Sequence, residues 1–110
     1  MSESRMVEVA RELLSQSKGH KVDWEDAGRG DHYRVFYPDV VLAISRTETY
    51  MEETYDLRLE LMGDAGRVID SLDTTPEDDR YSILEQIFEL AEEHVRDTGI
   101  NKALGYLKQA

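Results

Sequence analysis

The chain has 110 residues and a formal net charge of −11, from 24 acidic against 13 basic side chains, and it contains no cysteine. That length suits one domain and is too short for two ordinary ones, and the lack of cysteine excludes disulfides, Cys-ligated zinc and thiol chemistry. The acidic balance argues against nucleic acid or an anionic membrane as a direct ligand, because both need clustered Lys and Arg.

Hydrophobic residues make up 40% of the chain and recur at regular intervals, which marks a globular domain rather than a disordered one. A chain of this size buries roughly 65% of its unfolded surface, so a single domain over 1–110 needs no metal or disulfide to fold. The segment Met1-Ser2-Glu3-Ser4-Arg5 lacks the apolar core of a signal peptide, and no apolar run approaches 18 residues. The expectation is a soluble cytoplasmic protein.

Residues 4–18 read as a helix, with Met6, Val9, Ala10, Leu13 and Leu14 on one stripe. Ser2 or Ser4 suits its N-cap, and Gly19 the left-handed residue after its end. The period then changes to two. Val22 and Trp24 alternate with Asp23 and Glu25 as a short strand, and Ala27–Asp31 is a loop punctuated by Gly28 and Gly30.

Residues 32–37 form a second strand, with Tyr33, Val35 and Tyr37 on one face and His32, Arg34 and Phe36 on the other. Pro38-Asp39 predicts a tight turn into a third strand at 40–46, apolar on both faces and so central. Residues 47–53 are polar and form a loop or a frayed hairpin end. The fourth strand, 54–62, alternates cleanly, with Tyr55, Leu57, Leu59 and Leu61 facing in. Gly63–Gly66 turns the chain into a fifth strand at 67–72.

Thr75 and Pro76 predict the N-cap and first residue of a long helix, with Asp78 closing a variant capping box. Its buried stripe is Leu84, Ile87, Phe88, Ala91 and Val95, and Thr98-Gly99 ends it. Asn101 then caps a short last helix carrying Ala103, Leu104 and Leu107, weakened by Gly105. The predicted fold is α+β: an antiparallel meander of about five strands with N- and C-terminal helices on one face, in the order α-β-β-β-β-β-α-α.

Motifs that could carry chemistry fail on inspection. An EF-hand alignment beginning at Asp23 and Glu25 meets Ala27 at the fifth position and Arg34 where a bidentate Glu belongs. Arg29-Gly30-Asp31 matches an adhesion tripeptide by spelling alone. Gly28 and Gly30 lack the third glycine and the following helix of a phosphate loop. His20, His32 and His94 have no second ligand at metal spacing. The expectation is a non-enzymatic chain without a cofactor or metal.

Two surfaces remain. Segment 77–97 holds eight acids against Arg80 and Arg96, a local charge of −6, with Asp78, Glu85, Glu89, Glu92 and Glu93 at helical spacing away from the buried stripe. Like charges at i, i+4 cost a few tenths of a kcal/mol per pair, so such a row is mildly unfavourable unless a basic surface meets it. The outward face of the sheet carries Phe36, Val41 and Ala43 beside Arg34, Arg46, Arg58 and Glu60, an apolar strip suited to a partner or a second copy. The loop acids Glu48, Glu52 and Glu53 are a lesser candidate for a cation or a basic peptide.

The sequence therefore predicts a protein-interaction module that binds a partner protein, with a basic surface or as a homodimer, through the acidic helix face or the open sheet face. The alternatives are an acidic inhibitor that mimics nucleic acid, of the phage anti-defence type, and a small-ligand-binding domain. An enzyme with a carboxylate or His–carboxylate site ranks last.

Overall fold

The structure, a computed structural model, describes residues 5–28, 30–49 and 54–109. Ser2, Ser4, Arg29, Glu52 and Glu53, singled out above, lie outside the described residues. The chain runs α1 (Arg5–Lys18), β1 (Glu25–Asp26), β2 (His32–Phe36), β3 (Val41–Glu48), β4 (Tyr55–Met62), β5 (Val68–Thr74) and α2 (Tyr81–Gln109). The five strands form one antiparallel sheet in sequential order, and both helices pack on its apolar face. This is the predicted α+β meander.

Helix α1 buries Met6, Val7, Ala10 and Leu13. It ends at Lys18 as expected, but the left-handed residue after it is His20 rather than Gly19. His20 takes the left-handed conformation (φ 57), Lys21 N–H donates to Gln16 O (3.0 Å) and His20 N–H to Ser17 O (3.1 Å). That is the bond pattern of a Schellman cap, with His20 where glycine is usual. The strand expected over Val22–Glu25 is displaced: Val22 and Trp24 are buried but outside the sheet, and only Glu25 and Asp26 pair with β2. The indole of Trp24 donates from Nε1 to Ser17 Oγ at 3.2 Å, so the end of α1 and this segment share one buried polar contact.

Pro38 and Asp39 make the β2–β3 turn, closed by Tyr37 N–H donating to Val40 O (2.9 Å). Tyr37 falls outside β2 and is exposed. The pairing sets Tyr33, Ile44, Leu59 and Leu72 in one inward row and Val35, Leu42 and Leu61 in the next. Arg46 lies two residues beyond Ile44 and so also points inward, against the expectation that it faces out. Its guanidinium lies 4.8 Å from the Phe88 ring centre and 4.3 Å from that of Tyr55, and bonds Asp31 at 3.0 and 3.4 Å. Tyr55, expected inside, is partly exposed and lies over this guanidinium.

Helix α2 differs most from expectation. It begins at Tyr81, five residues after Pro76, because successive turns hold Thr75–Tyr81: Asp78 N–H donates to Thr75 O (2.9 Å) and Tyr81 N–H to Asp78 O (3.0 Å). The Asp78 carboxylate accepts from the Arg80 backbone N–H (2.8 Å) and from its guanidinium (2.7 and 3.0 Å), which favours a local turn over helix. At the other end α2 runs through Gly99 and Gly105 without a break to Gln109. Neither glycine adopts positive φ, and no proline follows to remove a donor. The two predicted C-terminal helices are therefore one, and Asn101 is an interior residue rather than a cap.

At 1.5 Å per residue the 29 residues of α2 span about 43 Å, longer than the sheet beneath it. Leu84, Ile87, Phe88 and Ala91 are buried, whereas every residue from Gly99 to Gln109 is exposed. The last turns project from the body. The radius of gyration of 15.2 Å accordingly exceeds the roughly 13 Å of a compact chain of this length.

Candidate functional site

The outer face of α2 carries the strongest concentration of charge. Glu85, Glu89, Glu93 and Asp97 follow one another at i, i+4 and are all exposed, while Glu92 is half-buried and lies 3.7 Å from Arg96. Asp78 does not belong to this row. It precedes the helix, and its ion pair with Arg80 occupies its carboxylate. Hydrogen bonds from the Arg80 side chain and backbone hold the Asp78 carboxyl below its ordinary value, to about 2.

Beyond Asp97 the character of that face changes. With about 100° of rotation per residue, Leu84, Ile87, Phe88 and Ala91 centre on one direction. Ile100, Ala103, Leu104 and Leu107 centre on a direction about 160° away, on the side of the acidic row. Ile100, Leu104 and Leu107 are 50%, 44% and 71% exposed. The direction that faces the core upstream is continued instead by Thr98, Lys102, Gly105 and Gln109, with Tyr106 beside them. One helix therefore has two apolar stripes on opposite faces: the first is buried in the core, and the second is exposed.

The outer face of the sheet offers a second surface. Phe36, Val41, Met62 and Val68 stand opposite one another across four strands and form an apolar row at the hairpin end. Phe36 and Val68 are about half exposed. The Arg34 guanidinium lies 5.0 Å from the Phe36 ring centre. The next rows turn polar. Ala43 is buried between Arg34 and Glu60, and Arg58 bonds Asp73 at 2.6 Å with Glu60 at 3.9 Å. The expected outward residues Phe36, Arg34 and Arg58 thus share this face.

Two of the surface concavities involve α1. A groove of about 410 Å³ runs along α1 between Val9, Leu13, Tyr37 and Leu42. A smaller cleft of about 210 Å³ lies where the end of α1 meets α2 and brings His20 and His94 together with Glu93 and Asp97. At its edge His94 Nε2 is 3.2 Å from Asp23 Oδ1, a contact between residues 71 apart in sequence. Sequence spacing misses this pairing, since nothing local links Asp23 to α2. Among the described residues no group of three or more His, Asp or Glu is arranged to hold a metal ion. Asp31 of the tripeptide Arg29-Gly30-Asp31 is engaged by Arg46.

The chain is thus a small α+β domain with a five-stranded antiparallel meander, and no described helix is long and apolar enough to cross a membrane. No family model, curated protein or solved structure matches it.

Proposed function

We propose that this protein is a non-enzymatic interaction module whose principal binding element is the outer face of α2. The observation that carries this reading is the change of apolar face within one continuous helix. Had Ile100, Leu104 and Leu107 continued the direction of Leu84 and Phe88, they would extend the domain's own core stripe. Placed opposite, they form an exposed apolar stripe apart from the core, and exposed stripes of this kind mark interaction sites. An isolated helical segment of about ten residues, with a glycine in it, is marginal in water, so contact with a partner would also stabilise the tail.

The acidic row immediately upstream suits a partner with a basic surface, which would be attracted by the local field and held by the apolar stripe. The sheet row from Phe36 to Val68, with Arg34 and Arg58, is available for a second contact.

Affinity capture from extract of the native cell tests the reading with two variants, Leu104→Glu/Leu107→Glu and Glu85→Lys/Glu89→Lys/Glu93→Lys. Loss of the same partner with both, at unchanged thermal midpoint, is the expected result. Equal capture by wild type and both variants would overturn it.

One observation favours a narrower version, mimicry of nucleic acid. Glu85, Glu89, Glu93 and Asp97 rise about 6 Å per step along α2, a regular anionic row like a phosphate backbone. Under this version capture falls steeply as salt is raised and the Leu104→Glu/Leu107→Glu variant binds normally. Capture that persists at about 1 M salt, where the Debye length is about 3 Å, counts against it.

A further inference from the structure

We infer that the occupant of the apolar stripe on the α2 tail is the same stripe of a second copy, packed antiparallel. This rests on reading the outer face of α2 as the binding element, and goes further by naming the partner and its register.

The spacing of the stripe sets the register. In an antiparallel pair related by a two-fold axis, residue numbers at the same level have a constant sum. Placing Ile100 level with Leu107 of the second copy also places Ala103 level with its Leu104, so all four apolar positions are used at once. Small Ala103 faces larger Leu104, which lets the two helices approach and interdigitate.

Charge then selects the direction. Asp97 and Lys108 lie at the two ends of the stripe, and their side chains leave the helix within about 20° of one another, on the same flank. A two-fold axis perpendicular to antiparallel helices keeps equivalent flanks on the same side. Asp97 of one copy therefore lies beside Lys108 of the other, offset by about 3 Å along the axis, which a lysine spans easily. The symmetry makes this pair twice. A parallel arrangement, whose two-fold axis runs along the helices, would put equivalent flanks on opposite sides of the seam and leave Asp97 and Lys108 about 16 Å apart in level, so neither pair would form.

The arrangement also answers the obstacle to self-association, the net charge of −11 on each copy. Overlap is confined to the projecting turns, so the two bodies lie at opposite ends of the pair. Glu85, Glu89 and Glu92 lie on the body side of the overlapping stripe, so the acidic rows of the two copies are at opposite ends of the pair. The contact is small by the standard of specific interfaces, below about 1,200 Å², and the dissociation constant is expected to be on the order of 100 µM.

Sedimentation equilibrium of the full chain from about 10 µM to about 1 mM in about 0.15 M salt tests this. The wild type is expected to move from 12.7 kDa towards twice that mass. Leu104→Glu/Leu107→Glu is expected to stay at the monomer mass while its circular dichroism shows the body folded. Asp97→Lys alone and Lys108→Glu alone should each weaken association about fivefold, and the double exchange should restore it. A wild type that remains at 12.7 kDa throughout would overturn the inference, as would a double exchange no better than either single variant. If the wild type is monomeric but Leu104→Glu/Leu107→Glu still loses a captured protein, self-pairing fails while the interaction reading stands. If neither self-association nor capture depends on the stripe, both fail.

Discussion

Trp24 donates its indole N–H to the Ser17 hydroxyl at 3.2 Å, and both residues are buried. Ser17 sits in the last turn of α1, where a serine would ordinarily face water. The contact lets a large aromatic seal the end of the core without stranding its polar hydrogen. Ser17→Ala would leave that N–H buried and unpaired. It is expected to lower the unfolding free energy by about 1–2 kcal/mol in urea titrations followed by Trp24 emission. A change under about 0.3 kcal/mol would mean that water replaces the hydroxyl.

Arg46 ties three elements together through Asp31, Tyr55 and Phe88. Its planar guanidinium can stack on rings and bond a carboxylate at the same time, which an ammonium cannot reproduce. Arg46→Ala should cost about 2 kcal/mol, and Arg46→Lys should recover less than half of it. Full recovery by lysine, measured by thermal or chemical unfolding, would show that charge alone suffices.

The pH dependence of stability has an assignable component at each extreme. Arg80 depresses the Asp78 carboxyl to about 2 in the folded protein, so unfolded Asp78 takes up a proton first as pH falls. Its contribution is complete above about pH 4 and is lost on descending towards pH 2. Asp78→Asn should flatten that part of the acid profile and cost about 0.5–1 kcal/mol at neutral pH, since the pair is partly screened by solvent. Burial raises the Tyr33 and Tyr81 hydroxyls above 10, aided by Glu92 at Tyr33 and by Glu85 at Tyr81. Their contribution is present below pH 10 and lost as pH rises through the raised values. Titration of wild type and Tyr33→Phe by circular dichroism separates the two ends.

Gly99 and Gly105 lie within α2 with ordinary helical backbone, and a Cβ at either would meet nothing within 4 Å. Replacing each with alanine should stabilise the projecting turns by up to about 1 kcal/mol, seen as higher helicity and slower amide exchange over 99–109. The same change at Gly28 or Gly66, at φ +82 and +73, should instead destabilise.

Much of the architecture was legible in local pattern. The alternation of Leu57, Leu59 and Leu61 and the Pro38-Asp39 break define the meander, because period two and proline chemistry act over a few residues. What escaped were features decided by competition or by distance. Thr75 and Pro76 resemble a helix start, but the Asp78 carboxylate finds Arg80 and holds a turn. Gly99 resembles a helix end, yet nothing beyond it forces the chain to leave the helix. Arg46 looked like a surface residue until strand parity turned it onto Phe88. The pairing of His94 with Asp23 depends on two segments meeting in space. Of the expected binding residues, Glu85, Glu89, Glu92 and Glu93 lie on α2 and Phe36, Arg34 and Arg58 share the outer sheet face, whereas Asp78 belongs to neither.

The unbroken course of α2 gives the molecule a built-in lever. With no hinge between Phe88 in the core and Leu107 at the tip, a torque applied to the tail reaches the aromatic contact of Phe88 with Tyr33, whose ring centres are 5.4 Å apart. A flexible linker would have insulated the core from such loading. Once a partner holds the tail helical, the unbroken helix couples the two, so immobilising the tail should also slow opening of the sheet's inner layer.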